Sequence, residues 1–468
     1  MPNTIAQNLA RLQAAKTAIG NAITAKGGTV TSGDGFEAFP ADIATIPSGG
    51  GGGDADYSKP VRFFDYDGKL VYSYTPQEFA ALTAMPANPS HTELTAQGWD
   101  LSLADAKAYV AKYGTLNVGQ MYITDDGRTR LYVRMQEGRL SPILKLYLNA
   151  NSELDIDWGD GTAHSTFTST SADYKSEQHN YASAGEYVVS IGVTSGSFVL
   201  KPSEYDVPVL FTAGEADPDS ADRGYLNSIE KIEIGSGVTS IEGHTFPYCS
   251  SLSQVTIPYG VTSIGSTAFF SCYSLSQVTI PDGVTSIESY AFQYCYSLSQ
   301  IIIPDDVTSI GNYAFDSCNS LSQVTIPDGV TSIGDYAFRS CYSLSQVTIP
   351  ESVTSIGSNA FHYCYSLSQV TISDGVTSIG SSAFYSCYSL SQVTIPESVT
   401  SIGSAAFRNC YSIGYIKFEG NTPPTVSNSN AFLNVPTDCI IYVPSAALST
   451  YKSATNYPSP STYTYVGY

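Results

Sequence analysis

The chain has 468 residues, too many for one ordinary core, so several modules are expected. Its 42 acidic against 21 basic side chains leave a net charge near -21, which argues against nucleic-acid and anionic-lipid binding; a 42% apolar share argues against global disorder. Tyrosine is in excess, with 35 copies against 19 Phe and 2 Trp, and its rigid amphipathic ring points towards recognition.

Residues 1–47 read as an N-terminal helical attachment segment. Ile5, Leu9, Leu12, Lys16, Ile19 and Ile23 trace a short heptad seam interrupted by Lys16, and Gly27 and Gly28 end it. The stretch Met1 to Lys26 lacks the uninterrupted apolar core of a secretory signal, and nothing later is long enough to span a bilayer, so no membrane insertion is expected. Residues 48–53 form a Gly linker. Residues 54–137 read as a small α/β adaptor module. It has a hairpin turning at Tyr66-Asp67-Gly68-Lys69, a short helix opened by Thr75-Pro76-Gln77-Glu78, and another helix from Leu103 to Lys112 capped by Ser102. A second hairpin joins Met121–Thr124 to Thr129–Met135 around Asp126-Gly127.

Residues 138–200 alternate apolar and polar side chains between turns, as in a small β-sandwich. The segments Leu154-Asp155-Ile156-Asp157-Trp158-Gly159-Asp160-Gly161-Thr162 and His179-Asn180-Tyr181 through Gly185-Glu186-Tyr187-Val188-Val189 together resemble a PKD-like domain, an immunoglobulin-like fold. That resemblance implies a spacer or carbohydrate-contacting module without catalysis. Asp155, Asp157 and Asp160 read as turn caps in preference to Ca²⁺ ligands.

Residues 201–248 read as a transition, N-terminal cap and first coil, with Gly235 where later coils carry Pro. From residue 249 to 411 a period governs the chain: Cys249, Cys272, Cys295, Cys318, Cys341, Cys364, Cys387 and Cys410 recur every 23 residues. A fixed period with apolar residues in register marks a solenoid. In one coil Val278 and Ile280 alternate with Gln277 and Thr279 on a strand, Pro281-Asp282-Gly283 makes a corner, and Val284 and Ile287 return to the core. Ala291, Phe292 and Cys295 are then expected on one face of a single helical turn. The cysteines, all beyond residue 248, form a line unsuited to tetrahedral metal ligation and read as a ladder of buried free thiols in a protein folded under reducing conditions. Residues 412–468 read as a C-terminal cap. The wording Leu275, Val278, Ile280-Pro281, Val284, Ile287, Ala291-Phe292 and Cys295 resembles the BspA-type leucine-rich repeat, which implies a leucine-rich-repeat solenoid over roughly 226–440.

Within the chain the words Ser-Leu-Ser-Gln-Val-Thr-Ile and Val-Thr-Ser-Ile barely change, whereas the pair before Ala-Phe and the residues around each Cys vary. The helical spacing sends these variable residues outward on one ridge. Their alphabet of Tyr with small polar groups is that of a binding face. The ligand-binding candidates are therefore Tyr290, Tyr313 and Tyr336 before Ala-Phe, with Tyr294, Tyr296, Arg339, Tyr342, His362, Tyr363, Tyr365, Tyr385, Tyr388, Arg408 and Tyr411 around the cysteines. The uniform Gln277/Thr279 face is a lesser candidate, suited only to a repetitive ligand.

The five His (His91, His164, His179, His244, His362) are scattered and no nucleophile–base pair stands at motif spacing, so no enzyme activity, cofactor or metal is expected. The segment Asn8 to Lys16 through Gly27-Gly28, with the module at 54–137, is similar to the starts of phage tail and fibre proteins, which are made in the host cytoplasm without a signal. The first expectation is a phage receptor-binding protein on the virion, joined to other tail proteins through its N-terminal region and gripping a glycan or protein receptor on the host bacterium. Fibres are usually trimers, which allows a homotrimer, although Lys16 weakens the seam. The alternatives are an adhesin at the bacterial cell surface that binds host glycoprotein, and a structural virion subunit.

Overall fold

The computed structural model describes residues 59–64, 70–87, 94–99, 107, 110–111, 116–124, 127–200, 210–212 and 226–468. The expected N-terminal helix, the glycine linker, the turn at 66–69 and most of the helix at 103–112 lie outside the described residues. The chain divides into two compact units between Tyr122 and Ile123.

In the first unit, β1 (Val61–Phe64), β2 (Leu70–Tyr74), β3 (Leu94–Trp99) and β4 (Leu116–Thr124) form a sheet in the order β2-β1-β4-β3. The β1–β2 pair is antiparallel and β1–β4 parallel. Thr75 opens the helix α1 (Pro76–Ala80) with a reciprocal capping box. Its side chain accepts from the Glu78 N–H, and the Glu78 carboxylate accepts from the Thr75 N–H at 2.7 Å. Phe79 thereby packs against Phe63, ring centres 5.6 Å apart.

The second hairpin expected of this module is not formed. The strand β5 (Thr129–Met135) lies between strands of the second unit, antiparallel to both β10 (Gly185–Ser195) and β13 (Ile229–Glu233). Its alternating Leu131, Val133 and Met135 are all buried, and the second unit supplies the core they cover.

Around β5 and β10 the second unit builds two sheets. One continues through β7 (Ser152–Asp157) and β8 (Ser165–Ser169); the other joins β6 (Ile143–Leu148) to β9 (Asp173–Gln178), β11 (Phe198–Val199) and β12 (Leu210–Thr212). The two segments singled out at 154–162 and 179–189 meet here. His179 stacks on Trp158 with ring centres 4.5 Å apart, and the Tyr181 hydroxyl donates to the Trp158 carbonyl at 3.0 Å.

The first coil of the solenoid is sealed by this sheet, because β13 pairs with β5 on one side and with the parallel strand Gln254–Thr256 on the other. Gly235 is thereby explained: a Cβ there would come within 2.1 Å of the Gly127 carbonyl oxygen of the incoming chain.

Beyond β13 the coils stack in register. Val278 pairs with Ile301 and Val255 with Val278 along the Gln-Val-Thr strands, and a second parallel ladder joins Ser286–Ile287 to Ser309–Ile310 and onward to Thr425–Val426. The side chains of the unchanging words bind coil to coil. Ser276, Ser299, Ser322 and their equivalents donate to the carbonyl 23 residues earlier, as do Thr308, Thr331 and Thr354. The third side is a run of turns. There the N–H groups of Tyr290, Phe292 and Tyr294 donate forward to Asn312, Ala314 and Asp316 at 2.9 Å; those of Ala291, Gln293 and Cys295 donate three residues back at 3.1–3.3 Å. The expected helical turn is therefore absent, broken by left-handed backbone at Tyr290 (φ 63°) and Tyr294 (φ 62°), although Ala291, Phe292 and Cys295 still face the core.

All nine cysteines are buried free thiols. Each Sγ from Cys272 to Cys410 donates to the carbonyl of the Phe 26 residues earlier at 3.1–3.3 Å, which explains why a thiol and not an alkyl group fills this slot. Burial pushes these thiols up, Cys410 to about 12, so they stay protonated and unreactive.

The expected C-terminal cap extends the ladder through Tyr415–Phe418, Ile440–Val443 and Thr464–Gly467 before it closes. Tyr451, Tyr457, Tyr463 and Tyr465 each donate a hydroxyl proton to a backbone carbonyl at 2.9 Å. Part of the tyrosine excess is thus structural.

Candidate binding surface

The variable residues form separate columns, since positions 23 apart lie over one another. In the column before Ala-Phe, Tyr290, Tyr313 and Tyr336 stack almost parallel, ring centres 4.8 and 4.4 Å apart. Each occupies left-handed backbone, φ 58–63°, where other coils carry Asn359 and Ser382. That conformation favours Asn or Gly and costs other residues about 1–2 kcal/mol. Ring stacking offsets about 0.5–1.5 kcal/mol of it per pair. The backbone therefore does not select Tyr at this column.

In the column after Cys, Tyr342, Tyr365 and Tyr388 stack at 5.0 and 4.8 Å, and Tyr411 continues the row at 5.3 Å. Tyr296 stacks on Tyr273 at 5.0 Å, a residue that the sequence reading of this surface left out. Its place 23 residues before Tyr296 was the available signal. Tyr294 and Tyr363, again on left-handed backbone, lean towards Tyr296 and Tyr365, ring centres 6.0 and 5.7 Å apart. Burial, then neighbouring tyrosines, raises the Tyr296 and Tyr365 phenols, which stay protonated and able to donate at neutral pH.

The third column, two residues before Cys, is more deeply set than the outward spacing predicts. Gln293 and Asp316 are buried, and Arg339, His362, Tyr385 and Arg408 are half-buried. Arg339 grips Asp316 with two hydrogen bonds of 2.9 and 2.7 Å, Gln293 donates to the same carboxylate at 2.7 Å, and the guanidinium lies over Tyr336 at 5.0 Å. Arg339 is therefore a structural cation. Arg408 lies over the Tyr385 ring at 5.8 Å, its Nε buried without a partner. The left-handed residues on either side of this column turn its side chains back towards the coil.

His362 packs between Tyr363 and Tyr385, ring centres 3.9 and 4.5 Å away, with neither ring nitrogen hydrogen-bonded. Burial, then the Arg339 charge, lowers its pKa to about 4. As pH falls from the ordinary value of about 6.5 towards 4, the unfolded chain takes up a proton that the folded one refuses, so folding stability declines across that window. Replacing His362 by Phe, the residue at position 270 of the same column, should flatten this decline. Thermal melts of both proteins between pH 4 and 7 would show it, and parallel pH profiles would contradict the burial assigned to His362.

The carboxylates at 155–160 are engaged locally. Asp155 bonds Arg128 and His164, each at 2.8 Å, and Asp157 accepts from the Gly159 N–H at 2.9 Å. Asp160 accepts from Thr162 and pairs with His179; against the desolvation that raises it, these bonds hold it at about 2. Among the described residues no cluster of His, Cys, Asp or Glu is placed to hold a metal ion, and no helix is long and apolar enough to cross a membrane.

The coil geometry defines a leucine-rich-repeat solenoid with coils 23 residues apart. The BspA type leucine rich repeat region matches in six copies over residues 224–345 and 331–453, and the chain belongs to that family. It is similar to a leucine rich repeat protein of T. pallidum, 32% identical over 34% of this chain and 78% of that one, TM-score 0.33. A leucine rich cell surface protein of Faecalibacterium prausnitzii is 29% identical over 50% of this chain and 77% of that one, TM-score 0.32. A leucine-rich repeat protein of Eubacterium ventriosum is 26% identical over 47% and 68%, TM-score 0.31. No curated protein matches the chain.

Proposed function

We propose that the protein is a bacterial cell-surface adhesin that binds a host glycoprotein through the tyrosine columns of its solenoid, with no catalysis. The observation that carries this reading is the row Tyr290, Tyr313 and Tyr336, stacked and partly exposed on left-handed backbone that does not itself favour Tyr. Rigid aromatic rows with small polar neighbours suit recognition at low entropic cost. The related Faecalibacterium prausnitzii protein is described as a cell surface protein, which supports the surface location. The sheet shared by β5 and β13 suits a spacer joined to the solenoid, in keeping with the PKD-like resemblance. The phage tail reading draws on residues 1–137, largely outside the described residues, and the comparisons lend it no support.

The full chain and a Tyr290→Ser/Tyr313→Ser/Tyr336→Ser variant should be titrated on mammalian epithelial cells, on fibronectin and mucin, and on intact bacteria. Ser382 already occupies this left-handed slot, so the variant should keep its circular dichroism spectrum while binding to cells or glycoprotein falls at least tenfold. Undiminished binding by the folded variant would remove the tyrosine columns from the interface. Binding to bacteria alone would return the weight to the phage reading.

A further inference from the structure

The tyrosine column after Cys has one interruption. Its positions are Tyr273, Tyr296, Asn319, Tyr342, Tyr365, Tyr388 and Tyr411, so a single ring is missing in mid-row. On both sides the stacks are parallel: Tyr296 lies 13° from the plane of Tyr273, and Tyr342 6° from that of Tyr365. Two ring faces, one from Tyr296 and one from Tyr342, are left without a stacking partner. They stand two coils apart, about 10 Å at one strand spacing per coil. Asn319 does not fill this space as a ring would. With its amide nitrogen turned towards them, it donates to the Ser340 carbonyl at 2.9 Å and the Ser317 carbonyl at 3.3 Å, holding the short side chain down on the coil. After burial, the groups that raise the Tyr296 phenol include Tyr342, from across the gap.

Resting on the binding-surface reading above, we infer that the gap over Asn319 is a sugar slot, in which Tyr296 and Tyr342 clamp one neutral pyranose of gluco configuration between their faces. The walls are aromatic, but the rim is polar. The exposed hydroxyls of Ser297, Ser320 and Ser343 run in the next column, and the phenols stand at the tips of the two rings. An aromatic amino-acid ring would present an apolar edge to that rim and strip water from groups it cannot pair. A pyranose has the matching distribution, with C–H groups on its faces and hydroxyls around its edge. Contact with two walls at once requires both faces free of axial hydroxyls. Glucose and N-acetylglucosamine in β linkage meet this condition, whereas mannose carries an axial O2 and galactose an axial O4. Neutrality follows from the chain's net charge near -21, which disfavours sialylated or phosphorylated sugars.

The test titrates the full chain with cellotetraose, tetra-N-acetylchitotetraose and mannotetraose, followed by tyrosine fluorescence and calorimetry. The variant Asn319→Tyr fills the gap with the residue six other coils carry there, so its fold is preserved, and Tyr296→Ser removes one wall. Wild-type protein should bind one of the gluco-type tetrasaccharides at least tenfold more tightly than mannotetraose, and both variants should lose at least tenfold in that affinity. No binding of either gluco-type sugar, equal binding of mannotetraose, or full retention by Asn319→Tyr would each overturn the slot. In any of those cases, cell binding that still depends on Tyr290, Tyr313 and Tyr336 leaves the adhesin reading standing. Loss of cell binding in Asn319→Tyr without any sugar binding would make the occupant a protein side chain and defeat the sugar assignment.

Discussion

Replacing Phe338 by Ala should lower the stability of the solenoid by about 3–5 kcal/mol, the usual cost of deleting a fully buried phenyl ring. Phe338 stands in the middle of a column that runs from Phe246 to Phe432. Its neighbours Phe315 and Phe361 lie 5.3 and 5.4 Å away, with ring planes 12° and 5° from parallel. The ring is wholly buried, and coils above and below are held by backbone bonds that prevent collapse into the cavity. A solenoid gains stability from each coil and from each contact between neighbouring coils. Truncation here weakens two such contacts at once, near the centre of the array. Urea unfolding followed by far-ultraviolet circular dichroism should therefore show an earlier transition that separates into two phases, the coils on either side of Phe338 melting independently. A single transition displaced by less than about 1 kcal/mol would mean that the hydroxyl and backbone ladders, and not the phenyl column, hold the coils together.

The solenoid was legible because its period is carried by residues whose roles do not vary. Val278, Ile280, Val284 and Ile287 and their equivalents fall inward, and turn-forming triplets such as Pro281-Asp282-Gly283 mark the corners. The orientation of the variable columns was less legible. A helical spacing sends position 339 outward, but left-handed residues at 336 and 340 turn that segment back, and φ does not show in a pattern of apolar residues. A trace of it was present in the Asn and Ser that recur at 359, 382 and 409. The pairing of Asp316 with Arg339 was missed although its signal was present, since residues one period apart are stacked neighbours. The same rule yields Gln293 over Asp316, and the empty ring position at Asn319. The antiparallel pairing of β5 with β13 was not legible, because it joins strands about a hundred residues apart with no repeat to align them.

Arg339 was expected at a ligand and is found holding a buried carboxylate, so its removal has a distinct signature. The Asp316 side chain is 0% exposed, and both its oxygens are bonded by the Arg339 fork. Breaking such a pair from one side strands a charge in the interior, and Arg339→Ala should cost about 3 kcal/mol at neutral pH. Adding Asp316→Asn to that variant removes the stranded charge but keeps an oxygen for the Gln293 amide, so more than half of the loss should return. A ligand contact would behave otherwise: Arg339→Ala would spare stability and weaken binding, and Asp316→Asn would restore nothing. Chemical denaturation of the single and double variants, with binding measured on the same samples, distinguishes the two. A loss below about 1 kcal/mol in Arg339→Ala would return Arg339 to the binding face, since a largely buried pair cannot be broken so cheaply. The predicted pattern instead assigns this column to the scaffold and leaves recognition to the tyrosines on either side of it.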